Sequence, residues 1–258
     1  MIQRTSTFSP GLFKWFFTIA IIGFSGLLIS CSRNFSDPQK IIDKSIRVHG
    51  GEKYLHSEIE FDFRDRHYIT KRQEGTFSKE RIFKDSTATI HDILTNDSFV
   101  RKINDEIVAI PDSMAKKYTS SVNSVIYFAL LPYGLNDPSV NKKLLGVTTI
   151  EGQPYYKIEI TFGREGGGDG HQDTFNYWIH QKDFTVDYLA YYYLEDKISE
   201  MRFRKAINRR NVDGIIFQDY INYEPKGTSW TFNEVEEIYK SSGLSELSRI
   251  ELKNTSVK

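Results

Sequence analysis

A few polar residues have types and spacing that chemistry could use. In the loop GREGGGDGHQD, residues 163–173, Asp169, His171 and Asp173 lie two apart beside Gly166, Gly167, Gly168 and Gly170. Carboxylates on a Gly-rich turn suit Ca²⁺, and His with carboxylates suits Zn²⁺. The spacing matches no established ligand motif, however, and a solvated hairpin loop accounts for it, so no metal centre and no cofactor are expected. Asp65 and His67 continue the parity of Phe61 and Phe63. They either line the mouth of a pocket or mark the end of a strand. Arg202 and Arg204 alternate with Met201 and Phe203, placing two cations on one strand face, to pair with a neighbour such as Asp187 or with an anionic head group. His49, just before Gly50-Gly51, is placed to meet the carbonyls at a helix C-terminus. No HExxH, GxSxG, phosphate-loop or dinucleotide glycine pattern occurs, and no catalytic residue is assigned.

The single Cys, Cys31, excludes an internal disulfide and a multi-Cys zinc site. Arg4 and Lys14 precede an apolar run from Trp15 to Ile29, followed by Ser30-Cys31. A basic start, an apolar stretch shorter than the roughly 20 residues of a membrane span, and a small residue before the cut describe a secretory signal. Leu28-Ile29-Ser30-Cys31 resembles a bacterial lipobox, in which the Cys becomes the lipid-modified first residue. A diacylglyceryl group with an added acyl chain, such as palmitate, meets the two-chain requirement for stable anchoring. The resemblance implies processing by the lipoprotein maturation and sorting machinery. With Ser32 rather than Asp next, it implies a lipid anchor in the cell envelope, at the outer membrane and facing the periplasm.

Residues 1–30 are thus expected to be a signal peptide and 31–37 a tether, with residues 38–258 forming one domain. Without the signal, 228 residues carry 32 bases against 34 acids, a net charge of −2. That balance argues against nucleic-acid binding by bulk charge.

These residues must be positioned by strands. Asp37-Pro38 reads as the start of a helix over 38–49, stopped by Gly50-Gly51. From Glu58 the apolar period becomes two, with turn signals such as Gln73-Glu74-Gly75 and Glu151-Gly152. A helical stretch around SVNSVIYFALLPYG interrupts the strand series, and the loop Asn208–Gly214 separates the last two long strands. Alternating βα units are absent, which excludes Rossmann and TIM-barrel sheets. The fold expected is mainly β (α+β): a single large curved antiparallel sheet or half-open barrel of about eleven strands, with an N-terminal helix and an inserted helix at its mouth.

Parity then nominates a concave apolar face. Tyr156, Ile158, Ile160 and Phe162 share one side of their strand, as do Phe61 and Phe63 of theirs. Ile215, Phe217, Ile221 and Tyr223 share a third, interrupted by Asp219. The candidate cavity set is Phe61, Phe63, Tyr156, Ile158, Ile160, Phe162, Phe217 and Tyr223, with Asp65, His67, Arg202 and Arg204 at the mouth. The 15 Tyr and 18 Phe suit such a face, filled by its own side chains or open to a guest.

The segments VHGGEKY, SVNSVIYFALLP, GGGDGHQDTFNYWI and VDYLAYYY resemble a family of envelope lipoproteins of unknown function, over most of residues 38–224. The order of elements is similar to the Lol-type lipoprotein carriers and their lipid-binding relatives. That resemblance implies a half-open barrel whose concave face receives acyl chains. The leading expectation is non-catalytic binding of a hydrophobic or lipid-like ligand, or of an acylated partner. A structural or interaction lipoprotein with a filled core is the second. A hydrolase or lyase using Asp and His at the mouth is the third.

Overall fold

The computed structural model describes residues 36–163, 173–195, 198–227 and 230–258, together with residues 1 and 2. The chain divides into two units, Met1–Asn34 and Phe35–Lys258, and the fold below is that of the second. Cys31 lies outside the described residues.

Helix α1 (Pro38–His49) forms where the sequence places it: the Asp37 carboxylate accepts the Gln39 N–H at 2.9 Å, and Pro38 occupies the first turn. It ends at Gly50, whose φ of 149° strains any residue with a Cβ and where Tyr54 and Ile215 would crowd one. A single-turn helix α2 (Lys53–His56) follows. The strands in chain order are β1 (Glu58–Phe63), β2 (Arg66–Gln73), β3 (Thr76–Asp85), β4 (Ala88–Thr95), β5 (Phe99–Ile103) and β6 (Glu106–Val108). Helix α3 (Asp112–Ala129) and a 3-10 turn at Tyr133–Asn136 come next. Then come β7 (Val140–Ile150), β8 (Gln153–Phe162), β9 (Thr174–His180), β10 (Val186–Glu195), β11 (Ile198–Val212) and β12 (Ile215–Pro225). Helix α4 (Val235–Lys240), β13 (Leu244–Ile250) and β14 (Leu252–Val257) finish the chain.

The fold is mainly β, as the apolar period predicts, with two antiparallel sheets of seven strands where one sheet of about eleven was expected. The first sheet runs β14-β1-β2-β3-β4-β5-β6 and the second β13-β12-β11-β10-β9-β8-β7. Only Glu251 separates β13 from β14, so one C-terminal strand pairs with β12 in one sheet and with β1 in the other. The expected loop at Asn208–Gly214 is instead mostly strand. β11 runs on to Val212 through an irregularity between Ile207↔Asp219 and Arg210↔Phe217, and the turn shrinks to Asp213-Gly214. An extra residue there bends the strand without ending it.

Pleat alternation sends one set of side chains from the second sheet to each of two cores. Tyr156, Ile158, Ile160, Phe175, Tyr177, Ile179 and Leu189 meet Ile41 and Ile42 of α1. Tyr155, Trp178, Tyr188 and Phe203 meet Val235 of α4 on the opposite face. A third core joins Phe61 and Tyr68 of the first sheet to Val122 and Ile126 of α3, with Ile215 and Phe217. Each fully buried large apolar side chain contributes roughly 1.5–3 kcal/mol relative to exposure.

Candidate ligand-binding site

Helix α3 is fixed to the first sheet by a buried charge cluster. Asp92 is fully buried and accepts from Arg81 (Nη2, 2.6 Å) and Arg101 (Nε, 2.6 Å). Arg81 also donates to Ser121 Oγ at 2.7 Å, and the Arg101 guanidinium lies 3.5 Å from the centre of the Tyr118 ring. Both of those partners are on α3. The same helix reaches the second sheet through rings: Phe128 lies 5.5 Å from Tyr191 and 6.3 Å from Phe175, and Tyr127 Oη is 3.2 Å from Tyr177 Oη.

Held between the sheets, α3 borders two cavities on different sides. The larger, about 800 Å³, lies toward α1, α2 and the 3-10 turn. Its apolar lining includes Ile46, Leu55, Leu130 and Phe162, with Tyr127 and Tyr133. Its polar lining is mixed in sign: Arg47, Arg72 and Lys79 against Asp43, Glu52 and Asp137. Arg72 packs 4.8 Å from the Tyr133 ring centre, and its Nε is buried with no hydrogen-bond partner. Burial, reinforced by the Arg72 charge, brings the Lys79 ammonium down to about 8, and Lys79 donates to Asn123 Oδ1 at 2.5 Å. The smaller cavity, about 240 Å³, lies between α3, β10–β12 and the β13–β14 junction, with Phe63, Phe128, Tyr191, Arg204, Ile250 and Leu252 in its lining.

The sequence-predicted residues distribute unevenly. Phe162 lines the larger cavity, and Phe63 and Arg204 the smaller. Phe61, Tyr156, Ile158, Ile160 and Phe217 are buried within the cores. Tyr223 is a correction: it does not share a core with Ile215 and Phe217 but packs near Phe203 and Tyr239 on the α4 side. Beyond the irregularity beside Asp219, β12 turns Tyr220 rather than its odd-numbered residues to the α1 core. Asp65 and His67 are a second correction. Arg64, with φ 57°, and Asp65 form a two-residue turn, so the parity of Phe61 and Phe63 stops there; His67 returns on β2 and bonds Asp62 at 2.7 Å. Arg202 pairs with Glu200 at 2.5 Å, while Asp187 is taken by Arg209, not by Arg202 or Arg204. His49 does meet a helix carbonyl, its Nδ1 lying 2.9 Å from Ser45 O. Asp173 is half-buried, and Asp169 and His171 lie outside the described residues.

Among the described residues, no group of three or more His, Cys, Asp or Glu is arranged to hold a metal. Three His–carboxylate pairs form among the described residues: Asp62–His67, Glu80–His91 at 2.8 Å and His180–Asp183 at 3.2 Å. None of them lines either cavity.

Sequence reasoning missed α3's two-sided position, the larger cavity's cations Arg72 and Lys79, and Glu236. For Glu236 the effect of burial is outweighed by hydrogen bonds from Lys240, Thr148 and Trp178 and by the Lys157 charge, which hold its carboxyl at about 2. This cluster pins α4 to the second sheet, away from both cavities. The one available signal was Glu236 and Lys240 at i,i+4 on a short helix.

The fold resembles several solved structures at low identity. A LolA superfamily protein from Nitrosomonas europaea matches with TM-score 0.47 and 11% identity, over 85% of this chain and 92% of that one. A DUF1329 family protein from Desulfovibrio piger matches with TM-score 0.47 and 12% identity, over 85% and 93%. An outer membrane lipoprotein-sorting protein domain from Vibrio parahaemolyticus matches with TM-score 0.42 and 9% identity, over 85% and 90%. No curated protein matches the chain. A family model matches residues 17–251, nearly the whole length, and the chain belongs to that family, the family of unknown function DUF6503.

Proposed function

We propose that the protein is a lipid-anchored envelope protein that binds an apolar or lipid-like ligand, or the acyl chain of a modified partner, without catalysis. The observation that carries this is the cavity of about 800 Å³ between α1, α2 and α3. Its size lies within the roughly 300–1,000 Å³ usual for ligand sites, and its lining offers apolar contacts from Ile46, Leu55, Leu130 and Phe162 beside charged groups that could orient a polar head. Its walls come from three helices and both sheets, so the space results from how the elements are spaced and not from one missing side chain. The anchor is proposed at Cys31, on the lipobox-like Leu28-Ile29-Ser30-Cys31, with the outer membrane, facing the periplasm, as the proposed address.

One experiment addresses both parts. Wild-type protein should sediment with membranes, whereas full-length Cys31→Ala should be soluble and carry co-purifying lipid detectable by mass spectrometry of solvent extracts. Sedimentation of Cys31→Ala like wild type removes the anchor. Lipid-free extracts remove the ligand.

A second reading, a structural lipoprotein with a filled core, draws on five of the eight nominated face residues being buried in the cores. It predicts the soluble but lipid-free outcome.

A further inference from the structure

Arg204 is the one charged side chain lining the smaller cavity. It is 8% exposed and makes no ion pair among the described residues. This is unusual on physical grounds. A charge removed from water needs an opposite charge or a full set of hydrogen bonds, and arginine cannot escape by releasing its proton. The other deeply buried arginine among the described residues, Arg81, has that compensation in Asp92. Arg204 has rings instead: its guanidinium carbon lies 4.1 Å from the Phe128 ring centre and 5.0 Å from that of Tyr191. Nη2 donates to Tyr191 Oη at 2.7 Å and Nε to Asn222 Oδ1 at 3.4 Å, which leaves Nη1 without a hydrogen-bond partner among the described residues.

The rest of the lining fits an amphiphile. Val125, Ala129, Ile250 and Leu252 offer apolar contact beside the cation, and Gln218 is already committed to Val186 O and Tyr220 Oη. The cavity, about 240 Å³, exceeds the roughly 150 Å³ that suffices for a benzene-sized guest. We infer that this chamber receives the acidic oxyanion head and first carbons of an acyl-chain amphiphile, with the head paired to Arg204. The planar fork of an arginine matches a carboxylate in two hydrogen bonds, and aromatic stacking holds that fork in place. The inference rests on the proposal that the interior accepts a lipid-like ligand, and it adds the charge of the head and the residue that selects it.

The test is calorimetric titration of delipidated full-length Cys31→Ala with sodium octanoate, 1-octanol and sodium acetate. Octanoate should bind about tenfold or more tightly than 1-octanol, the size expected of charge-assisted hydrogen bonds, and acetate should bind far more weakly. Arg204→Gln should bring octanoate and 1-octanol to equal affinity, because the charged contact that separates the two ligands is removed. Equal affinities in the parent protein overturn the inference without any variant. So does an octanoate preference that survives Arg204→Gln, or acetate binding as tightly as octanoate. In each of those cases apolar binding itself still stands. Absence of binding by both octanoate and 1-octanol overturns the inference and the proposed function together.

Discussion

At the scale of single residues, burial without compensation marks the positions that matter. His49 is fully buried, its Nδ1 faces Ser45 O and its Nε2 has no hydrogen-bond partner among the described residues. Burial, more than any neighbouring charge, brings its imidazole from 6.5 down to about 4. The unfolded chain therefore binds the His49 proton at a pH where the folded chain does not. Stability is unaffected by this residue above about 6.5 and falls as the pH drops from there toward about 4, by about 3 kcal/mol in all. His49→Phe should flatten the dependence of the urea midpoint on pH across that window, and an unchanged slope would contradict it. Residue-level legibility in the sequence followed the pleat. Tyr156, Ile158 and Ile160 face one core together, as their alternation requires, and so do Phe175, Tyr177 and Ile179. Parity misled where backbone events break it, at the Arg64-Asp65 turn and at the β11–β12 irregularity that separates Phe217 from Tyr223. Neither event leaves a mark in the spacing of apolar residues.

At the scale of elements, α3 defines the site, because it borders both cavities. The Arg81–Asp92–Arg101 cluster sets its place on the first sheet, through Ser121 and Tyr118. Asp92→Asn leaves two arginines without their counter-charge in the interior. Loss of one partner from such a cluster costs about 3–5 kcal/mol. Chemical denaturation should read that loss, and fluorescent fatty-acid affinity should fall with it; a variant as stable as wild type would refute the role assigned to the cluster. The existence of this helix was legible from its apolar stripe and the Pro132 and Gly134 that follow. Its docking was not. Arg81, Asp92 and Arg101 meet because strand register aligns them, Arg81↔Asp92 across β3–β4 and Asp92↔Arg101 across β4–β5, and register is a tertiary property. The C-terminal segment is likewise placed by pairing: bonded to both β12 and β1, it links the two sheets.

At the scale of the whole molecule, the β interior is only partly filled by its own side chains. α1 fills the middle of the second sheet's inner face, while the spaces beside α3 remain open. The Tyr and Phe excess is explained on both faces, since Tyr155, Trp178 and Tyr188 bury under α4 as fully as Tyr177 and Phe175 do under α1 and α3. The central claim is that the larger space holds a lipid-like ligand. It is tested most directly by titrating a fluorescent fatty acid into soluble full-length Cys31→Ala with and without Ile46→Trp. Ile46 is half-buried on α1 and lines the larger cavity, so a Trp there occupies the space with little cost to the core. The account predicts saturable binding that weakens at least about tenfold in Ile46→Trp, the loss expected when a bulky ring takes the ligand's apolar contact area. Binding of equal strength in both proteins, or none in either, would contradict it.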